Sequence, residues 1–290
     1  MQNLPEQKRL LLEQLVGQLS KIPGISAVVL GGSYASGAQH AASDIDIGLY
    51  YLPENPFAIE DIRRIAENVA AAGNVTVTGF YEWGAWVNGG AWIQTPQGKV
   101  DFLYRNLAQV RQTIREAQEG ICHHDYDQQP TYGFYSVIYL AETQICIPLH
   151  DPDAIIDELK RSVVVYPAQL KQKVIADSLW GAEFTLLHAS GFAAQGDVYN
   201  TAGCLTRAAS NLTQALFALN EVYFIRDKKV LDRVAGFSRL PPGYVQQVNH
   251  ILGHPGHTAQ ELTQSVDQPK RVWRSVASLP GVGYAPKFQV

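Results

Sequence analysis

The stretch Leu30–Tyr51, LGGSYASGAQHAASDIDIGLYY, opens on two glycines and a serine after an apolar run and closes on Asp44 and Asp46 inside another. Ile45, Ile47 and the apolar, aromatic tail to Tyr51 read as a buried strand. Residues two apart on a strand share a face, so Asp44 and Asp46 project side by side while Ile45 and Ile47 point into packing. Carboxylates that close repel and raise one another's pKa unless a cation meets them. Magnesium resolves the conflict, because hard cations take oxygen ligands and share them with substrate phosphates. Upstream, Gly31-Gly32-Ser33 lets the backbone approach a ligand closely, and the helix start that follows offers N–H groups to an anion. A phosphate cradle and an acidic pair ten residues apart, Tyr34 to Ser43 between them, describe a nucleotide-triphosphate site. It is not a Walker loop, since no Lys follows Gly37, and the spacing of a dinucleotide fingerprint is absent.

Outward from this stretch, the 290 residues suffice for one large domain or two modest ones. Hydrophobic content of 46% against 17% charged residues fits a soluble globular chain rather than a disordered one. A formal charge of −4 argues against broad, non-specific nucleic-acid binding. No segment approaches the roughly 18 apolar residues that span a bilayer. The start, MQNLPEQKRLLLEQL, reads as an amphipathic helix rather than a signal peptide. Cys122, Cys146 and Cys204 form no framework and have no metal-type spacing, which suits a reducing cytoplasm.

Periodicity predicts helices over residues 3–20 and 58–72, and strands over 25–30, 44–51, 75–81, 91–94 and 100–104. This is an α/β pattern with a mixed sheet. Residues 107–119 read as helix, followed by a loop from His123 to Pro130. The apolar segment 132–149 is ambiguous between strand and helix and leans to helix. Beyond Asp151, helical segments at 153–163, 168–191, 198–222 and 258–278 predict a bundle without strands. The fold class is therefore α+β, a mixed-sheet domain over 1–150 followed by an all-α domain over 151–290.

Glycine, serine, a ten-residue gap and Asp-x-Asp on an apolar strand resemble the signature of the DNA polymerase β-type nucleotidyltransferase superfamily. In that family a third carboxylate lies on a later strand, and Asp101 in KVDFLYR matches it. The resemblance implies that Asp44 and Asp46 hold two Mg2+ ions, and that Asp101 completes one metal site or acts as the base. It implies that Gly32, Ser33 and Ser43 contact the nucleotide. With its helical second half the chain also resembles bacterial enzymes that modify aminoglycoside or lincosamide antibiotics. WGAWVNGGAWIQ, GKVDFLYRNLAQV and GDVYNTAGCLTRAASNLTQALFALNE are similar to two-domain bacterial proteins known by their nucleotidyltransferase domain alone. The implied activity is transfer of a nucleoside monophosphate from a nucleoside triphosphate, with ATP the expected donor, to a hydroxyl of a small-molecule acceptor. Antibiotics are among the acceptors so implied, and a homodimer stays open, since some such relatives build their site across one.

Glu183 and Asp197 are the candidate acceptor-binding or basic acids of the helical half, with a plain helix cap the alternative at Asp197. Trp83, Trp86 and Trp92 could stack a ring, although aromatics more often fill cores. Arg105, Lys228 and Lys229 could neutralise phosphates, though solvated lysines are the default. The spacing of His250, His254 and His257 is broken by Pro255-Gly256, which argues against zinc. Two other activities are disfavoured. Nucleotidylation of protein or RNA, as in toxin–antitoxin pairs, belongs to shorter, lone domains. A non-catalytic nucleotide-binding module would have lost an acid, and all three stand here.

Overall fold

The computed structural model describes residues 4–40, 42–71, 73, 75–129 and 131–290. Residue 3 and Ala72, where two helices are expected to begin and end, and Pro130 at the end of the expected loop, lie outside the described residues. The chain divides into two compact units, Met1–Arg115 with His123–Val165, and Glu116–Cys122 with Tyr166–Val290.

The first unit begins with α1 (Glu6–Leu19), β1 (Ile25–Leu30), α2 (Gly32–Ser36) and β2 (Ile45–Tyr51). It continues with α3 (Ile59–Val69), β3 (Val75–Val77), β4 (Gly90–Thr95), β5 (Gly98–Asn106) and most of α4 (Leu107–Gln118), whose residues from Glu116 onward belong to the second unit. After α4 come β6 (His124–Asp125), β7 (Phe134–Tyr135), α5 (Val137–Ile145), β8 (Ile147–His150) and α6 (Ile155–Ser162). Six strands make one sheet in the order β3-β4-β5-β2-β1-β8. Only β2 and β5 pair in parallel; the other neighbours are antiparallel, so the sheet is mixed as expected.

Alternation along the strands sorts the two faces. Val28, Leu30, Ile45, Ile47, Leu49, Ala91, Ile93, Val100, Phe102 and Tyr104 share one buried cluster with Leu11, Leu12, Leu15 and Leu19 of α1 and Ile62 and Ala66 of α3. Asp46, Trp92, Asp101 and Arg105 occupy the alternate positions and take the other face. There Arg105 forms a two-pronged ion pair with Glu142 of α5 at 2.8 Å through both Nε and Nη2, and its Nη1 donates to the Tyr104 carbonyl. Arg105 is thus an internal brace rather than a phosphate ligand.

Two sequence expectations change here. Val75–Tyr81 shortens to the three residues of β3, because the chain turns where Tyr81 adopts φ 62°. Segment 132–149 is only partly helical, since α5 stops at Ile145 and Ile147–His150 pairs with β1 as the sheet's edge strand. Pro148, which cannot donate to a ladder, is tolerated there because an edge strand pairs on one side only.

The second unit contains α7 (Ala168–Ala194), α8 (Val198–Leu219), α9 (Val230–Val234), α10 (Tyr244–Gly253) and α11 (Ala259–Ala277), and no strand among its described residues. The helices α9 and α10 lie outside the expected set. The unit's core includes Leu179, Leu186, Leu205, Leu212 and Trp273, whose indole N–H donates to the Leu179 carbonyl at 3.0 Å. A capping box of Thr258 and Glu261 starts α11.

Candidate active site

Pairing of β2 with β5 sets Asp46 opposite Asp101, and pairing of β5 with β4 sets Asp101 opposite Trp92. Opposite residues on paired strands share a face, so Asp46, Asp101 and Trp92 form a row across three strands. Asp44 stands one residue before β2, with its side chain 43% exposed, whereas that of Asp101 is 12% exposed.

Lys99 joins this row, two residues before Asp101 and on the same face of β5. Its Nζ lies 2.7 Å from Asp101 Oδ2 and 3.6 Å from Asp44 Oδ2. Burial and the charge of Asp44 hold the Asp101 carboxyl above its ordinary value, against the opposing pull of Lys99. Burial pulls the Lys99 ammonium down, but the hydrogen bond and charge of Asp101, with Asp44 behind, leave it above its ordinary value. The second oxygen of Asp101, Oδ1, is buried with no hydrogen-bond partner.

The glycine turn is built against Asp46. Gly31 N–H donates to the Asp46 carbonyl at 2.8 Å, fixing the turn to β2. Gly32 has φ 59°, and a Cβ there would collide with the Asp46 carboxylate. Gly31 is the N-cap of α2, so Ser33 sits inside that helix and does not cap it. Ser43 takes part in local structure. Its Oγ accepts from His40 N–H at 2.8 Å, and its carbonyl accepts from the buried Lys8 ammonium at 2.6 Å.

All three acids offer hard oxygen donors, and the orphaned Asp101 Oδ1 wants a cationic or protic partner, so the set suits a divalent ion in its chemistry. No three His, Cys, Asp or Glu side chains among the described residues stand close enough to hold a metal as they are. The cation present at Asp44 and Asp101 is Lys99.

With this geometry in hand, residues 12–81 match the family model described as a nucleotidyltransferase domain. The chain carries a nucleotidyltransferase domain. The matched span takes in the glycine turn, Asp44 and Asp46 and ends before Asp101. No curated protein is significantly similar in sequence. A solved structure of a nucleotidyltransferase-like protein from Exiguobacterium sibiricum 255-15 is similar over 92% of this chain and 73% of its own, with a TM-score of 0.44 and 8% identity. The matched nucleotidyltransferase domain lies within the mixed-sheet unit, and the second unit is helical. No helix among its described residues is long and apolar enough to cross a membrane.

The acids expected from the helical half have other occupations. Glu183 is fully buried, and its carboxylate accepts from Tyr284 O–H at 2.6 Å and from the backbone N–H groups of Lys287 and Phe288. It anchors the C-terminal segment. Asp197 is the N-cap of α8, accepting from Asn200 N–H at 3.0 Å and from its side-chain amide at 2.6 Å; those bonds hold its carboxyl below the ordinary value. An open groove of about 730 Å³ between α7 and α8 is lined by Phe184, His188, Phe192, Tyr199, Cys204 and Arg207 among others, and by neither acid.

Around the nucleotidyltransferase domain's acids, Trp83 stacks on Trp92 at 4.0 Å with its rings 13° apart and stays 48% exposed. Trp86 is packing, stacked on Phe134 with its carbonyl accepting from Tyr139 O–H. His250 and His254 stack on one another at 4.7 Å, and Lys228 and Lys229 are exposed in the second unit. Sequence reasoning passed over Lys99, although the i, i+2 rule that joins Asp44 to Asp46 also joins Lys99 to Asp101.

Proposed function

We propose that the enzyme transfers a nucleoside monophosphate from a nucleoside triphosphate, ATP in our reading, to a hydroxyl of a small-molecule acceptor. The observation that carries this is the pairing of Asp46 with Asp101 on one sheet face, with Lys99 reaching both Asp101 and Asp44, beside a glycine turn built against the same strand. Asp44, Asp46 and Asp101 are the residues that would hold Mg2+. Bound there, the ion would neutralise phosphate charge and stabilise the entering and leaving oxygens. Gly32 and Ser33, at the start of α2, would bring backbone N–H groups to the triphosphate.

In the reaction the acceptor oxygen forms a bond to the α-phosphorus, the bridging oxygen to the β-phosphate departs, and pyrophosphate leaves. The hydroxyl proton goes to Asp101 in this reading. Burial already holds that carboxyl above its ordinary value, nearer the range in which a general base works at neutral pH.

The test is pyrophosphate release from each of the four ribonucleoside triphosphates with magnesium, against aminoglycosides, lincosamides and small RNAs. Asp44→Ala and Asp46→Ala should each abolish release while circular dichroism stays unchanged. Release that survives both substitutions would sink the proposal. Nucleotide binding without release for any acceptor would shift the reading to a binding module.

A further inference from the structure

The lysine beside the acids has a use beyond neutralisation. Its ammonium spans Asp101 and Asp44, two of the three acids that would hold a divalent ion at this face. Two carboxylates otherwise left facing one another would repel in the metal-free protein, and one of them is almost shut off from water. A lysine is suited to temporary duty there. Its charge rides on a four-carbon stem with freely rotating donors, and the Lys99 side chain is one-third exposed, so it can withdraw to solvent without unpacking the strand. No three acids among the described residues stand close enough together to hold an ion, and Lys99 lies 2.7 Å from Asp101 and 3.6 Å from Asp44.

We propose that Lys99 is a resident counter-ion of the acid cluster, which occupies the cation's place between Asp44 and Asp101 in the metal-free protein and has to be displaced when a divalent ion binds. This rests on the metal-holding reading of the three acids. Lys99 is then a positioning residue. It keeps Asp44 and Asp101 together before the ion arrives and weakens the ion's binding by competing for the same oxygens. Loss of its charge should tighten divalent binding and loosen the metal-free protein, two effects of opposite sign from one substitution.

The experiment is Mn2+ binding to the full-length protein, followed by electron paramagnetic resonance of the free ion, for the wild type, Lys99→Gln, Lys99→Met, Lys99→Arg and Asp46→Ala. Removal of one like charge at ion-pair distance from a partly solvated site corresponds to a gain in affinity of about tenfold. Lys99→Gln and Lys99→Met should both show it, and Lys99→Arg, which keeps the charge, should not. Thermal melts without metal should place the Gln and Met variants below the wild type. If the neutral variants bind Mn2+ no more tightly than the wild type while Asp46→Ala still abolishes binding, the counter-ion role is overturned and the metal site stands. If no variant and not the wild type binds Mn2+, or binding is indifferent to Asp46→Ala, the metal-holding reading falls and this inference falls with it.

Discussion

Asp101 carries a charge where 12% of its side chain meets water, and a single ammonium compensates one of its two oxygens. An apolar fold gains nothing from such a group, which is what a site kept for chemistry rather than stability looks like. A carboxyl raised in the folded state binds its proton more tightly there than in the unfolded chain. Its contribution to stability is therefore present below the ordinary 3.8 and lost as pH rises through the raised folded value. Asp101→Asn removes the buried charge, so at neutral pH the metal-free variant should melt above the wild type, by about 2–4 °C for a gain of about 1 kcal/mol. That advantage should shrink as pH falls toward 4, where the wild-type carboxyl protonates, and pyrophosphate release should be lost at every pH. Melting curves from pH 4 to 8 check the sign, and an advantage that grows toward acid would contradict it. The three aspartates were legible in sequence because an acid inside a β-branched run is an anomaly. Glu183 was not, since an acid on an apolar helix looks the same whether its partner is a substrate or backbone about a hundred residues further along.

The turn from β1 into α2 shows how one element is shaped by its neighbour. Its glycines read as room for a phosphate, but Gly32 is also the residue over which the Asp46 carboxylate lies, and its φ of 59° is one that side chains rarely adopt. Gly32→Ala meets both obstacles, a strained backbone and a collision with the Asp46 carboxylate. It should destabilise the protein by about 1–3 kcal/mol, read from urea denaturation. Pyrophosphate release should fall far more than the loss of folded protein explains, because Asp46 has to move. Strands with clear alternation, β2 and β5 above all, were readable because one face is buried against α1 and α3 and the other carries the acids. The element β8 was not readable, for four residues with a proline have no period of their own, and only pairing with β1 makes them a strand. The helices α9 and α10 escaped for a related reason: both begin at a residue with positive φ, Lys229 and Gly243, where sequence offers no Ser, Thr or Asp cap to announce a helix.

The molecule keeps its buried carboxylates for two different purposes, one in each compact unit. In the first, Asp101 is left partly unsatisfied, with the Lys99 ammonium on one of its two oxygens. In the second, Glu183 is saturated by the Tyr284 hydroxyl and two backbone N–H groups, and the hydroxyl's own pKa is pushed up by burial and by that bond. A saturated buried carboxylate is a structural clamp, and its loss leaves three donors without an acceptor. Glu183→Gln keeps the volume but turns one oxygen into a donor facing donors, so it should cost about 3 kcal/mol and lower the melting temperature. The segment around Lys287, no longer held, should become a preferred site for trypsin, read by mass spectrometry of early fragments. At a temperature where the variant is still folded, Mn2+ affinity and the pH profile of pyrophosphate release should match the wild type. A general base would behave otherwise: its removal would flatten the acidic limb of that profile while leaving the melt and the proteolysis pattern almost unchanged.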